Sequence, residues 1–260
     1  RYFLYINSIQ LVNAIIKTYA RRKNNFQNLF YLAFMPSIIL LHGALGASSS
    51  LLPLSKELNA FANVYTLDFS GHGSASWPED FSIETFEQDV IQFMDTNNIE
   101  ATHIFGYSMG GFIGLRLAAK IPERILSVTT LATKMDWKEE TCIKESSMLD
   151  ADVMELKLPK FIAALSTTHP QNGWRKLVEH TQQLLTNMHH YRFDIESLKK
   201  IKQLVCIMVG DKDEMVSINE TIECYRSLPN AWLCVIPNTP HPLQASDPQL
   251  LASLIRRVIS

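Results

Sequence analysis

No glycine precedes Gly43, so the first stretch of chain carries no signal for a tight hairpin, whose two-residue turns demand positive φ. Cysteine is scarce. Cys142, Cys206, Cys224 and Cys234 form no CxxC pair and no paired histidine spacing. That excludes the usual zinc frameworks and reads as buried free thiols in a reducing, cytoplasmic compartment, with no metal expected. Long blocks of one charge are missing too. The largest basic cluster is Arg21-Arg22-Lys23 and the formal net charge is −2, which excludes the electrostatic footprint of a nucleic-acid binder. No apolar run reaches the roughly 18 to 20 residues of a transmembrane span. Residues 2–16 are apolar-rich, but Asn7, Ser8, Gln10 and Asn13 interrupt them and the basic cluster follows instead of preceding, the wrong order for a secretory signal. Internal repeats and low-complexity segments are absent as well.

What remains is an ordinary globular composition, 47% hydrophobic and 19% charged. Residues 1–35 form an N-terminal extension. Val12, Ile15, Ile16 and Tyr19 have i, i+3, i+4, i+7 spacing, which favours a helix from about Ser8 to Arg22, although RYFLYI reads equally as an edge strand. Packing on the main domain or on a partner subunit is the plain expectation for it; a membrane-surface anchor is the sharper alternative. From Pro36 the pattern turns regular. Apolar runs at Ser37 to Leu41, Asn63 to Leu67, Thr102 to Tyr107, Ile125 to Leu131, Gln203 to Val209 and Ala231 to Ile236 read as strands. Between them lie helix-period segments, among them one capped by Ser82 with Ile83, Phe86, Val90, Phe93 and Met94 inward. Ser217 and Glu220 form a capping box for a helix that places Ile218, Ile222 and Tyr225 inward. Alternating strands and helices, with strands apolar on both faces, argue for an α/β fold: a mostly parallel sheet with helices on both sides.

The alternation breaks between about 134 and 200, where no strand is legible and large side chains recur: Trp137, Met148, Met154, Phe161, Trp174, Met188 and Tyr191. An insertion after a strand's C-terminal end sits over the edge where parallel sheets bind ligands. It is expected to be a helical cap inserted into one domain spanning residues 36–260. Most of these side chains should form the cap's own core. One or two, with Trp137 and Trp174 as candidates alongside Leu45, should line a substrate pocket.

The chemistry concentrates in Gly106-Tyr107-Ser108-Met109-Gly110. A bare GxSxG arises by chance in roughly one chain in ten of this size. Here an apolar strand precedes it and a small-residue helix follows, and that context is what a nucleophile elbow requires. A serine at such a corner points its hydroxyl away from the sheet, and the Met109 N–H at the helix start faces the same space, ready to stabilise an oxyanion. A second donor is expected from the glycine-rich loop after the first strand, at the Ala44 N–H, with Leu45 as fallback.

A serine hydroxyl needs a base, and the base needs an acid to hold its tautomer. In this strand-turn-helix class the order is Ser, then Asp or Glu, then His. Of eight histidines, His241 alone follows the acidic cluster Asp211, Asp213 and Glu214. It lies just past the last strand, at the same sheet edge as Ser108 if all strands are parallel. His42 and His72 belong to glycine loops and read as structural. Any of the three acids could reach the His241 loop; Asp213 is favoured by its place where the chain leaves the strand.

Five segments, HGALG at His42 to Gly46, DFSGHGSAS at Asp68 to Ser76, GYSMGG at Gly106 to Gly111, GDKDEMV at Gly210 to Val216 and TPHP at Thr239 to Pro242, stand in one order over about 200 residues. In these the chain resembles the α/β-hydrolase fold family, close to its capped esterase, lipase-like and carbon–carbon bond hydrolase members. The resemblance implies Ser108 as nucleophile, Asp213 as acid, His241 as base and no cofactor. A small, largely apolar ester or related acyl substrate is expected, and a monomer or homodimer. Carbon–carbon cleavage by the same triad and a non-catalytic ligand receptor are the alternatives. Members usually open with an antiparallel hairpin, which residues 1–35 do not show.

Overall fold

The structure, a computed structural model, describes residues 35–260; the expectations for the N-terminal extension lie outside the described residues. Six strands form one sheet in the order β2-β1-β3-β4-β5-β6. They are β1 (Ser37–Leu41), β2 (Asn63–Thr66), β3 (Thr102–Tyr107), β4 (Ile125–Leu131), β5 (Leu204–Gly210) and β6 (Ala231–Ile236). Every neighbouring pair is parallel. Parallel pairing places all six C-terminal ends at one edge, where the connecting loops gather.

The helices follow from the same alternation. They are α1 (Leu52–Leu58), α2 (Ile83–Thr96), α3 (Met109–Lys120), α4 (Glu139–Ser147), α5 (Ala151–Lys157), α6 (Pro159–Thr168), α7 (Trp174–Thr186), α8 (Ile195–Lys200), α9 (Ile218–Ser227) and α10 (Pro248–Ile259). Side chains of β1 divide by parity, as the two-residue period of a strand requires. Ile39 and Leu41 join Phe86, Val90 and Met94 of α2 and Phe112 of α3 on one face. Ile38 and Leu40 join Leu54 and Leu58 of α1 and Leu251 and Ile255 of α10 on the other. Each such aliphatic or aromatic side chain removed from water contributes roughly 1.5 to 3 kcal/mol, which is what fixes the helices to the sheet.

Local signals set the helix ends. The Ser82 hydroxyl accepts the Thr85 N–H at the start of α2. The capping box of Ser217 and Glu220 is present at α9. The buried positions of α9 are Thr221 and Cys224, while Ile218, Ile222 and Tyr225 are half-buried. The inward face is thus rotated from the apolar spacing, because β5, β6 and α8 determine what is covered. All four cysteines are free.

The five helices α4 to α8 occupy the whole interval between β4 and β5, and no strand is found there. Ala151 and Met154 of α5, Ile162 and Leu165 of α6 and Val178 of α7 form a small core of their own. No helix among the described residues is long and apolar enough to cross a membrane.

Candidate active site

Three loops at the C-terminal edge of the sheet carry the site. After β3 the chain turns at Ser108, whose φ of 52° and ψ of −115° lie outside the ordinary regions for an L-residue. Two contacts hold that conformation: the Ser108 N–H donates to the Leu131 carbonyl at 2.8 Å, and the Thr133 hydroxyl donates to the Ser108 carbonyl at 3.0 Å. Gly106 makes the corner possible, since a Cβ there would lie 2.3 Å from the Gly110 carbonyl carbon.

The candidate acid and base come from the loops after β5 and β6. His241 Nδ1 lies 2.8 Å from Asp213 Oδ2 and 3.0 Å from Oδ1. A carboxylate only accepts, so Nδ1 carries the proton and Nε2 is left as the basic nitrogen. The Asp213 side chain is fully buried. Burial opposes its ionisation, but hydrogen bonds from His241 and the Val216 N–H, the histidine's charge and the Met215 N–H outweigh it and leave its pKa below the usual carboxylate value. Its neighbours do other work. Asp211 Oδ1 accepts the Thr239 N–H at 3.2 Å and so braces the histidine loop, whereas Glu214 is exposed. Gly210 lets the two loops meet, because a Cβ there would fall 1.9 Å from the Thr239 carbonyl oxygen.

The elbow and the histidine loop are joined by Tyr107, whose hydroxyl donates to the His241 carbonyl at 3.0 Å. Burial pushes this phenol's pKa far up, so it stays a neutral donor.

The loop after β1 closes the site. Gly46 N–H donates to the Gly43 carbonyl, and Leu45 at the third position of that turn has φ of 58°. A type II turn wants glycine there, and leucine carries a strain of order 1 kcal/mol or more. His169, fully buried at the end of α6, offsets it. Its Nδ1 accepts the Gly73 N–H at 2.7 Å, which leaves Nε2–H to donate to the Leu45 carbonyl at 3.0 Å. Below lie His42, whose Nε2 accepts the Phe69 N–H while Nδ1 donates to the Gly43 carbonyl, and His72, whose ring centroid is 5.1 Å from that of His42. His42 and His72 are structural, as their glycine-loop setting suggests.

Ser108 and His241 line the same two cavities, of about 80 Å³ and about 420 Å³, which share a wall of Ala44, Ser108, Glu145, Leu185, Met215 and His241. Ala44 lines both and Met109 the smaller one. Trp137 lines the smaller cavity and Leu45 the larger. Trp174 lines neither. It opens α7, packs against the small core of the insertion and lies under the Arg175 guanidinium, 4.9 Å from its ring centroid. The insertion gives more than one or two large side chains to these walls: Met188 joins Trp137 in the smaller cavity, and Met148, Met154 and Phe161 line the larger. Sequence reasoning did not single out Tyr107, Thr133, His169 or Glu145. Their partners lie 11 to 134 residues away, and no spacing motif marks such pairs.

Comparison with known proteins agrees with this fold. A family model for the alpha/beta hydrolase fold matches residues 36–182. RutD of Agrobacterium fabrum, provisionally named a carbamate hydrolase, is 27% identical over 233 residues, or 83% of this chain and 89% of that protein. The enol-lactonase from Burkholderia xenovorans superposes with a TM-score of 0.69 at 20% identity, covering 86% of this chain and 91% of its own. The 2-hydroxy-6-oxo-6-phenylhexa-2,4-dienoate hydrolase from a Rhodococcus species gives 0.71 at 19% identity, covering 86% and 90%. At such identities the two structures speak for the fold, and the family match over more than half the chain settles membership: this chain belongs to the α/β-hydrolase fold family.

Proposed function

We propose that the protein is a serine hydrolase cleaving an ester or related acyl bond of a small, largely apolar substrate. Ser108 Oγ attacks the carbonyl carbon as His241 Nε2 takes its proton, and Asp213 stabilises the imidazolium. The oxyanion is held by the N–H groups of Ala44 and Met109. The imidazolium then protonates the departing alcohol. Water, deprotonated in turn by His241, cleaves the acyl-enzyme and frees Ser108. Each oxyanion donor contributes about 3 kcal/mol of transition-state stabilisation. The helical insertion acts as a cap whose residues complete both chambers, one for the acyl chain and one for the leaving group.

The observation that carries this reading is the two-oxygen contact of Asp213 with His241 Nδ1, on a histidine that shares a cavity wall with a serine in a strained turn. A carbamate hydrolase and an enol-lactonase among similar proteins are in keeping with acyl chemistry. The test is direct. Ser108→Ala is expected to lower hydrolysis of short p-nitrophenyl esters by at least about 10⁴-fold and to abolish labelling by a fluorophosphonate. Near-full activity in that variant, or an unlabelled wild-type Ser108, would refute the mechanism. Lengthening the acyl chain should raise kcat/KM by roughly fourfold per buried methylene until its chamber fills.

A further inference from the structure

Glu145, in α4, is 2% exposed and stands in the wall shared by the two cavities. It is the one carboxylate among the described residues lining either of them. Its Oε1 lies 3.4 Å from Lys134 Nζ, just past the end of β4. Its Oε2 is buried and has no hydrogen-bond partner among the described residues. Lys134 has other obligations: its ammonium donates to the Met215 carbonyl at 2.6 Å and lies 3.8 Å from Glu220 Oε2. Glu220 is in turn held by the Met135 and Ser217 N–H groups.

If Glu145 only tethered the insertion to β4, one oxygen would suffice. A buried acceptor without a donor costs free energy, and proteins rarely keep one without a use. Among the described residues, no group of the remaining walls is hydrogen-bonded to it. Thr181 and Tyr107 spend their hydroxyl protons on the Leu177 and His241 carbonyls, and the rest of the lining near Ser108 is largely apolar. A carboxylate accepts and never donates, so the group that completes this one must carry a proton. With Lys134 already beside Oε1, a neutral donor satisfies Oε2 without adding charge.

We propose that Glu145 determines specificity by accepting a hydrogen bond from a neutral N–H or O–H of the substrate. The preferred substrates are then esters with such a donor within a few bonds of the scissile carbonyl, since Glu145 shares its wall with Ser108. The inference rests on the hydrolase reading above and narrows its substrate class.

The experiment uses ester pairs that differ by N–H against CH₂ at one position. N-acetylglycine methyl ester with methyl 4-oxopentanoate varies the acyl side. 2-Acetamidoethyl acetate with 4-oxopentyl acetate varies the alcohol side. Acid release gives kcat/KM for all four, and fluorophosphonate labelling of Ser108 runs in parallel. In at least one pair the N–H member should be favoured by about tenfold or more, the range of a hydrogen bond to a charged acceptor. The pair that responds says which side of the substrate meets Glu145. In Glu145→Gln, whose amide oxygen can face Lys134 and whose NH₂ then replaces the open acceptor, that preference should fall below about twofold or invert. Equal kcat/KM within both pairs in the labelled wild-type enzyme overturns the proposal and leaves the hydrolase reading intact. So does a preference that survives in a folded Glu145→Gln protein. An unlabelled enzyme that turns over none of the four overturns both.

Discussion

At the scale of single residues, the division of labour among the acids after β5 is sharp enough to test. Asp213 holds the imidazole by both oxygens, while Asp211 reaches the Thr239 N–H. Asp213→Asn should lower kcat by about 10⁴-fold, because an amide NH₂ facing Nδ1 favours the wrong tautomer. Asp211→Asn keeps the acceptor oxygen for Thr239 and should cost less than tenfold. Steady-state kinetics on one activated ester, with circular dichroism to confirm folding, checks both. A comparable loss in the two variants would mean that Asp213 is not the acid. The placement of Ser108, Asp213 and His241 at one edge of the sheet was legible in the sequence because each follows a strand within a few residues and carries its own short motif. Glu145 was not, since its setting comes from Lys134, eleven residues earlier, and from a cavity assembled out of eight separate segments.

At the scale of elements, α2 and α3 are locked by charge as well as by apolar packing. Glu87 of α2 is buried, with Arg116 Nε of α3 against Oε1 and Lys120 Nζ 2.7 Å from Oε2. Removing one partner of such a group strands the others. Arg116→Met, which leaves the buried Glu87 carboxylate with only the half-exposed Lys120, is expected to lower unfolding free energy by about 3 kcal/mol, read from urea denaturation at neutral pH. An unchanged midpoint would show that the pair contributes nothing net. The order and bounds of the strands were readable from apolar runs, and those of β1, β3, β4 and β6 agree to the residue. The inward face of α9 was not, since Thr221 and Cys224 are covered by what packs on them and not by any periodicity of their own. The walls contributed by the insertion were illegible for the same reason: helix-period patterns place Met148, Met154 and Phe161 on helices without saying which cavity those helices enclose.

At the scale of the whole molecule, the buried imidazoles make stability depend on acidity. His42 and His72 are fully buried. Burial lowers the pKa of His42 from 6.5 to about 4, and burial together with the nearby His42 holds that of His72 well below its ordinary value. In the unfolded chain both take up a proton near pH 6.5, and in the folded chain they do not. The unfolded state therefore binds more protons below 6.5, and stability falls with pH through the window from about 6.5 to about 4 by up to about 1.4 kcal/mol per pH unit for each group. The urea midpoint at pH 5.0 should lie clearly below that at pH 7.5, and His42→Gln should flatten the difference. Equal midpoints for the wild-type protein would contradict the assignment.

His169 gives this arrangement a mechanical side. One ring, anchored in the insertion, grips the turn bearing Ala44 with one nitrogen and the strand-exit loop at Gly73 with the other. Displacing the end of α6 would break both grips at once and release a turn already wound against its preference. On the mechanism proposed above, the insertion and the Ala44 donor are therefore coupled through a single imidazole.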